Sequence, residues 1–337
     1  MEIFMKSNIA ILGAGNVGTG LAYHFGHQGH AVNMYCIEPD VLQQINKKHR
    51  NKKYLRNVRL PDNVRALADI DTCLKEARVA ILAVPSHAAI QVATQAKPFL
   101  RKDTTVACIT KGLDPQTLKP IVLSVKNNLP KANQKRTCMI GGPAIATELT
   151  HDTPTAFVVA CADDSARKHL ADLLRHKHIK SAESKDLLGV GLGAALKNPY
   201  AIALGFCDGL KYPTNSKALV ITMAVSEMTG IMLRAGADSK TAPSLAGLGD
   251  LLVTGLSPHG HNRTYGQKLV TSKTNDPTKL GLTTVEGIRA SKLGIKLAKR
   301  LHARTPLLAS IYKGINSKHN FHKPFEDYLK KLKLDLI

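Results

Sequence analysis

Tryptophan is absent from this 337-residue chain, and aromatic residues make up only 4% of it. Platforms for stacking single-stranded bases are therefore scarce, which argues against nucleic-acid binding as the main role. Acidic residues are also few, 25 against 47 Lys and Arg, for a formal net charge of +22. The cations are diffuse, gathering mainly at Lys47–Arg56, at Arg167–Lys180 and in the tail stretch LKKLKL. Such a spread suits an enzyme of anionic substrates better than a nucleic-acid groove. None of the six cysteines forms a C-x-x-C pair, and most lie in apolar segments. They read as small core hydrophobes in a reducing cytosol. The N-terminal MEIFMKSNIAILGAG shows no signal-peptide cleavage pattern, so a cytoplasmic location is expected. One apolar run, Leu187–Phe206, is long enough to raise the question of a membrane, but Lys197, Asn198 and Pro199 interrupt its middle. A lone cation at that depth is costly in lipid, so the run is expected to be a helix buried in protein and not a transmembrane segment.

Hydrophobic residues account for 44% of the chain, enough for more than one compact core. Between Asn8 and about Ala182, apolar runs alternate with amphipathic stretches. IAILGA, AVNMYC, VAILAV, TVACIT, TCMIG and TAFVVAC read as strands. VGTGLAYHFGHQG, SHAAIQVATQAKPFL and DDSARKHLADLLRH read as helices. Strands apolar on both faces, alternating with helices, predict a parallel sheet covered on both sides. After Ser184 strand candidates disappear and helical patterns dominate. The expected organisation is an α/β domain over residues 1–184 and an all-helical domain over 185–337.

Gly13, Gly15 and Gly18 have G-x-G-x-x-G spacing after a strand and at a helix start, and a second strand ends at Glu38. In that setting Gly13 permits a tight turn, Gly15 lets the backbone approach a pyrophosphate, and Gly18 lets helix and strand pack closely. The helix start, from Asn16 and Val17, offers free N–H groups to phosphates. Glu38 would accept hydrogen bonds from a ribose diol and repel a 2′-phosphate, favouring NADH over NADPH. ITKGLDP places Lys111 at a strand end, where α/β folds bind ligands; a solvated loop lysine is the alternative. GGPAIATEL, carrying Gly142, Ala144 and Ala146, reads as a strand end, two glycines, a proline and then a helix start able to receive an anion. Lys197, amid GLGAALKNPYAIALG, must reach a partner, surrender its proton or snorkel to solvent. A buried lysine of this kind suits general acid/base chemistry, with Asn198 beside it to orient a hydroxyl. Asp250 in SLAGLGDLLVTG is a carboxylate in apolar company that calls for a lysine partner or a substrate hydroxyl. SPHGHNRTYG concentrates His259, His261 and Arg263, and could hold a metal, a nucleic acid or a small anion.

Taken in order, GAGNVGTGLA, TKGL, GGPAIATEL, ALKN followed by AIALGFCDGL, GLGDLLVT and TTVEG resemble the NAD-dependent glycerol-3-phosphate dehydrogenases over nearly the whole chain. The resemblance implies a Rossmann-like domain followed by a helical domain, and reduction of dihydroxyacetone phosphate to sn-glycerol 3-phosphate. It makes Lys197 the proton donor and lets Asp250 and Lys111 hold the substrate. Glu286, with Lys111 and Ala146, is placed on the cofactor, and the backbone near Gly142 and Ala146 lines the site. It also aligns Gly260, His261 and Asn262 with the family's substrate-phosphate clamp, so SPHGHNRTYG reads as an anion site. A zinc site lacks further ligands nearby, and His259 reads as a solvated loop histidine.

Four positions depart from the family pattern. His261 replaces an arginine that stays charged, whereas an imidazole is mostly neutral at pH 7. Met223 stands where an arginine is usual, Ala144 lacks a hydroxyl, and Pro199 removes a helix hydrogen bond beside Lys197 with an expected kink. Two other readings stand beside the dehydrogenase: a related reductase of another small 2-oxo compound, and a cofactor-binding protein with weakened catalysis. Assembly as a homodimer is left open.

Overall fold

The computed structural model describes residues 7–151, 153–258 and 260–333; His259 lies outside them. The chain divides into two compact units, residues 1–111 with 119–191, and residues 112–118 with 192–337. This division falls later than 184/185, inside the helix Leu187–Gly209. The first turn of that helix packs with the first unit, because Val190 crowds Gly141 and Gly191 lies against Pro120. Gly193, two residues on, lies against the Ala246 carbonyl of the second unit.

The first unit is built on an eight-stranded sheet. In spatial order its strands are Ile179–Ser184, Thr155–Ala160, Thr137–Gly141, Thr105–Cys108, Val79–Leu82, Asn8–Leu12, Ala31–Tyr35 and Val64–Leu67. Asn8–Leu12 pairs in parallel with Ala31–Tyr35 on one side and Val79–Leu82 on the other. The chain order therefore reverses direction at Asn8–Leu12, and the carboxyl ends of these strands form the usual ligand edge of such a sheet. The sheet is parallel, as expected, at every pairing but one. Thr155–Ala160 runs antiparallel to Thr137–Gly141, and Ile179–Ser184 follows it in parallel. Among its described residues the intervening segment holds only the short 3₁₀ turn Glu148–Thr150, and a parallel return needs a crossover, usually through a helix.

The helix Asn16–His27 buries Leu21, Ala22 and Phe25 on the sheet. His24 on the same helix is also buried, its ring 5.9 Å from that of His176. Burial first, and then the neighbouring His176, lower its pKa to about 4. All six cysteines are buried and unbridged, as core residues would be.

Beyond Ser184 the described residues contain helices and no strand. The helix Leu187–Gly209 continues through Pro199, and 94% of its apolar window is buried inside the protein. The helix Thr214–Ala235 is also long and apolar enough to cross a membrane by length and composition, with 33% of its window buried. Its Glu227 is buried and accepts hydrogen bonds from Leu307 N (2.6 Å), Leu308 N (3.0 Å) and Tyr200 Oη (3.0 Å). That carboxyl caps the helix Pro306–Ile315 from another helix, and burial pushes its pKa up to about 7.

Candidate active site

In the first unit, Gly13 turns the chain at φ +121° and donates its N–H to the Tyr35 carbonyl at 3.1 Å. A Cβ there would lie 2.6 Å from the Ala83 carbonyl oxygen, and one at Gly18 would collide with the Gly13 carbonyl. Gly15 is different. A Cβ at that position meets nothing within 4 Å, and no side chain caps the helix that starts at Asn16 and Val17. Open space beside uncapped helix amides is what a pyrophosphate requires, so these residues fit a dinucleotide.

The loop is braced by a residue the motif reading did not single out. Buried Asn51 donates to the Ala14 carbonyl (2.8 Å) and to Thr19 Oγ1 (2.9 Å). It belongs to a two-stranded ribbon, Arg50–Asn51 with Leu55–Arg59. The same ribbon brings Lys53 and Tyr54 onto Glu38. The Lys53 ammonium pairs with Glu38 Oε2, and Tyr54 Oη donates to Oε1 at 2.6 Å. The Lys53 contact, followed by the Tyr54 hydrogen bond, holds the Glu38 carboxyl below its usual pKa. Nothing in the linear pattern around Lys53 announced this contact.

Lys111, half-buried, follows the strand Thr105–Cys108 on the same sheet edge. Gly142 follows Thr137–Gly141 with φ +96°. Instead of the helix expected after GGPA, the described residues of this segment make only the 3₁₀ turn Glu148–Thr150. Thr155 Oγ1 donates to the Pro143 carbonyl (2.7 Å), drawing the segment back into the antiparallel strand. Half-buried Ala144 lies in this segment, and buried Ala146 packs its carbonyl against Gly20 of the Asn16–His27 helix.

The second unit gathers the remaining candidates. Lys197 is 5% exposed and Asp250 1%. The Lys197 ammonium pairs with Asp250 Oδ1 and donates to Thr254 Oγ1 at 2.7 Å. Of the three fates open to the lysine, the structure shows the partnered one. Two local features allow it. Leu245–Gly249 forms a π-helical turn immediately before the helix Asp250–Leu256, a device common at functional sites. Gly193 on the lysine helix would bring any Cβ within 2.5 Å of the Ala246 carbonyl, so only glycine lets that turn approach. Thr254 was not foreseen, although it stands one helical turn beyond Asp250 and therefore on the same face.

Asn198 opens a second chain of contacts. Its Nδ2 donates to Glu286 Oε2 (3.2 Å), and its Oδ1 accepts from Asn262 Nδ2 (3.0 Å). Asn262 Oδ1 in turn accepts from the Gly287 amide (2.8 Å). Glu286, expected on the cofactor, thus begins the helix Glu286–Arg300 in contact with Asn198. Gly260 is the N-cap of the helix His261–Leu269. Exposed His261 lies 3.0 Å through Nδ1 from the Thr284 carbonyl. Since a carbonyl only accepts, Nδ1 carries the hydrogen, and the neutral ring keeps a bare lone pair at Nε2. Arg263 is committed to Asp208, which Lys217 also contacts. Met223 is half-buried on the helix Thr214–Ala235.

Two family models cover these elements: the N-terminus of NAD-dependent glycerol-3-phosphate dehydrogenase over residues 8–167, and its C-terminus over residues 186–326. The chain belongs to that family. It is 35% identical over 304 residues to an NAD(P)+ glycerol-3-phosphate dehydrogenase of Anaeromyxobacter dehalogenans, covering 90% of this chain and 92% of that one. The Geobacillus kaustophilus enzyme of the same name is 34% identical over 308 residues, with 90% and 89% covered. Among solved structures, glycerol-3-phosphate dehydrogenase of Coxiella burnetii superposes with a TM-score of 0.90 at 29% identity, covering 97% of this chain and 99% of that one. The dehydrogenase described here is therefore an NAD(P)-dependent enzyme with a Rossmann-like N-terminal fold and a helical C-terminal one.

Proposed function

We propose that this dehydrogenase reduces dihydroxyacetone phosphate to sn-glycerol 3-phosphate with Lys197 as general acid and NADH as the preferred reductant. The observation that carries the reading is the buried ammonium of Lys197, held by Asp250 and Thr254. The carboxylate favours the charged, proton-bearing form, and the hydroxyl fixes the direction in which that ammonium is presented. As a carbonyl oxygen takes on negative charge, Nζ gives it a proton; in the reverse direction the amine takes one from the alcohol. The Gly13–Gly18 loop would hold the dinucleotide through its pyrophosphate, and that cofactor would supply the hydride from its nicotinamide. Asn198, fixed by Glu286 and Asn262, holds its amide ready to orient a substrate hydroxyl. The N-terminal amides of the helix His261–Leu269, with Gly260 and His261, form the phosphate clamp. Lys111, Gly142 and Ala144 complete the substrate contacts in this reading, and Ala146 and Glu286 those to the cofactor. Glu38, three residues beyond the strand Ala31–Tyr35 and not at its end as the sequence suggested, supports NADH over NADPH.

The test is spectrophotometric. The intact protein is expected to oxidise NADH in the presence of dihydroxyacetone phosphate. Lys197→Ala should lower kcat by about 10²–10⁴-fold while the Kd for NADH stays within about twofold. More than a tenth of wild-type turnover in the variant would remove Lys197 from the acid role. Turnover confined to other 2-oxo compounds would overturn the substrate assignment.

A further inference from the structure

Glu38 is not a bare carboxylate. Both of its oxygens are engaged, one by the Lys53 ammonium and one by Tyr54 Oη. The ammonium also sits 5.4 Å from the centre of the Tyr54 ring, within cation–π range. This arrangement is tied to the cofactor loop. Asn51, two residues before Lys53, holds the Ala14 carbonyl and Thr19 Oγ1 through its buried amide. The ribbon carrying Lys53 and the glycine loop therefore share one hydrogen-bonded anchor.

From this placement we infer that Lys53 is a second determinant of cofactor selection, the group that lets the site accept a 2′-phosphate. The inference rests on the reading that Glu38 faces the adenosine ribose. A lone carboxylate there would accept from the ribose diol and repel a phosphate dianion. Paired with Lys53, it presents no net charge, and the ammonium is already within reach of whatever Glu38 meets. Lys53 is half-exposed on a flexible stem, so it can turn from Glu38 to a phosphate oxygen without leaving water. Glu38 thus favours the diol, and Lys53 limits how strongly NADPH is rejected. Asp40, the other nearby carboxylate, acts on Lys53 only through space.

Equilibrium binding separates the parts without relying on turnover. Calorimetric titrations of wild type, Lys53→Met and Glu38→Gln with NADH and with NADPH, in the absence of substrate, give six dissociation constants. Lys53→Met keeps the apolar stem and removes the charge. It is expected to raise the Kd for NADPH roughly five- to tenfold and to change that for NADH less than twofold. The loss should shrink at high salt, where exposed charges are screened. Glu38→Gln should move the ratio the other way, tightening NADPH and loosening NADH. An unchanged ratio in Lys53→Met overturns the inference. If Glu38→Gln still shifts the ratio, the Glu38 reading survives that failure; if neither variant does, both fall. A shift in Lys53→Met alone removes Glu38 from the ribose and so overturns the inferred paired arrangement. Thermal melts of each variant check that folding is unaltered.

Discussion

Replacing His24 by glutamine should make the first unit less sensitive to acid, by an amount the structure allows to be worked out. In the folded chain the His24 pKa is lowered from 6.5 to about 4, by burial and then by His176. The native ring is therefore neutral at pH 5, while the ring of the unfolded chain is mostly protonated. A depressed folded-state value means that stability is fully present above about 6.5 and is lost as pH falls from there through about 4. The whole shift corresponds to roughly 3 kcal/mol, and the part lost between pH 7.5 and pH 5 to about 2 kcal/mol. His30, its pKa lowered by burial and by His169, adds a loss of the same sign in both proteins. Glutamine suits a helix and its amide can still donate to a carbonyl, so the variant isolates titration from packing. The assay is urea unfolding followed by far-UV circular dichroism at several pH values. Wild type should lose about 2 kcal/mol more than His24→Gln between pH 7.5 and pH 5. Parallel curves, differing by less than about 0.5 kcal/mol across that range, would refute a neutral buried His24.

Two further outcomes bear on the site. Because a Cβ at Gly15 meets no atom of the chain within 4 Å, Gly15→Ala should fold with an unchanged melting temperature. It should nevertheless weaken NADH binding by tenfold or more, and unaltered affinity would show that the pyrophosphate does not lie against Gly15. At His261 the Nδ1 hydrogen is used on the Thr284 carbonyl, so the ring has at most one nitrogen left for a phosphate. A guanidinium there would offer a bidentate grip, and His261→Arg should lower the Michaelis constant for dihydroxyacetone phosphate by about fivefold. An unchanged constant would place the clamp elsewhere, and the hold of Asp208 on Arg263 makes that arginine a poor substitute.

What could be seen in the sequence was whatever depends on residues close together in the chain. The glycine loop was legible because strand, turn and helix are consecutive. Lys197 and Asp250 were each conspicuous as a charge inside an apolar run, and each demanded a partner. That they are each other's partner depends on a π-helical turn and a glycine contact that no periodicity reports. The antiparallel return of Thr155–Ala160 escaped for a related reason. A strand buried on both faces has the same composition whichever way it runs, so only the length of the connection betrays its direction. Asn51, Lys53 and Tyr54 were invisible because their importance arises from a ribbon folding back on the nucleotide loop. Asn51 stands far from Ala14 in sequence and carries no motif of its own.

The boundary inside the helix Leu187–Gly209 has a consequence for how the chain is made. The last strand of the large sheet ends at Ser184, so every strand of the first unit has been synthesised well before the second unit is complete. At about 5–20 residues per second the remaining chain takes roughly ten to thirty seconds to appear. During that interval the glycine loop can assemble while residues 112–118, which belong with the later unit, still lack their neighbours. Birth order thus favours a nascent chain able to hold nucleotide before Lys197 meets Asp250. No cut in the gene separates the two units cleanly, because the polypeptide enters the second unit, returns, and leaves the first again just after the first turn of a helix.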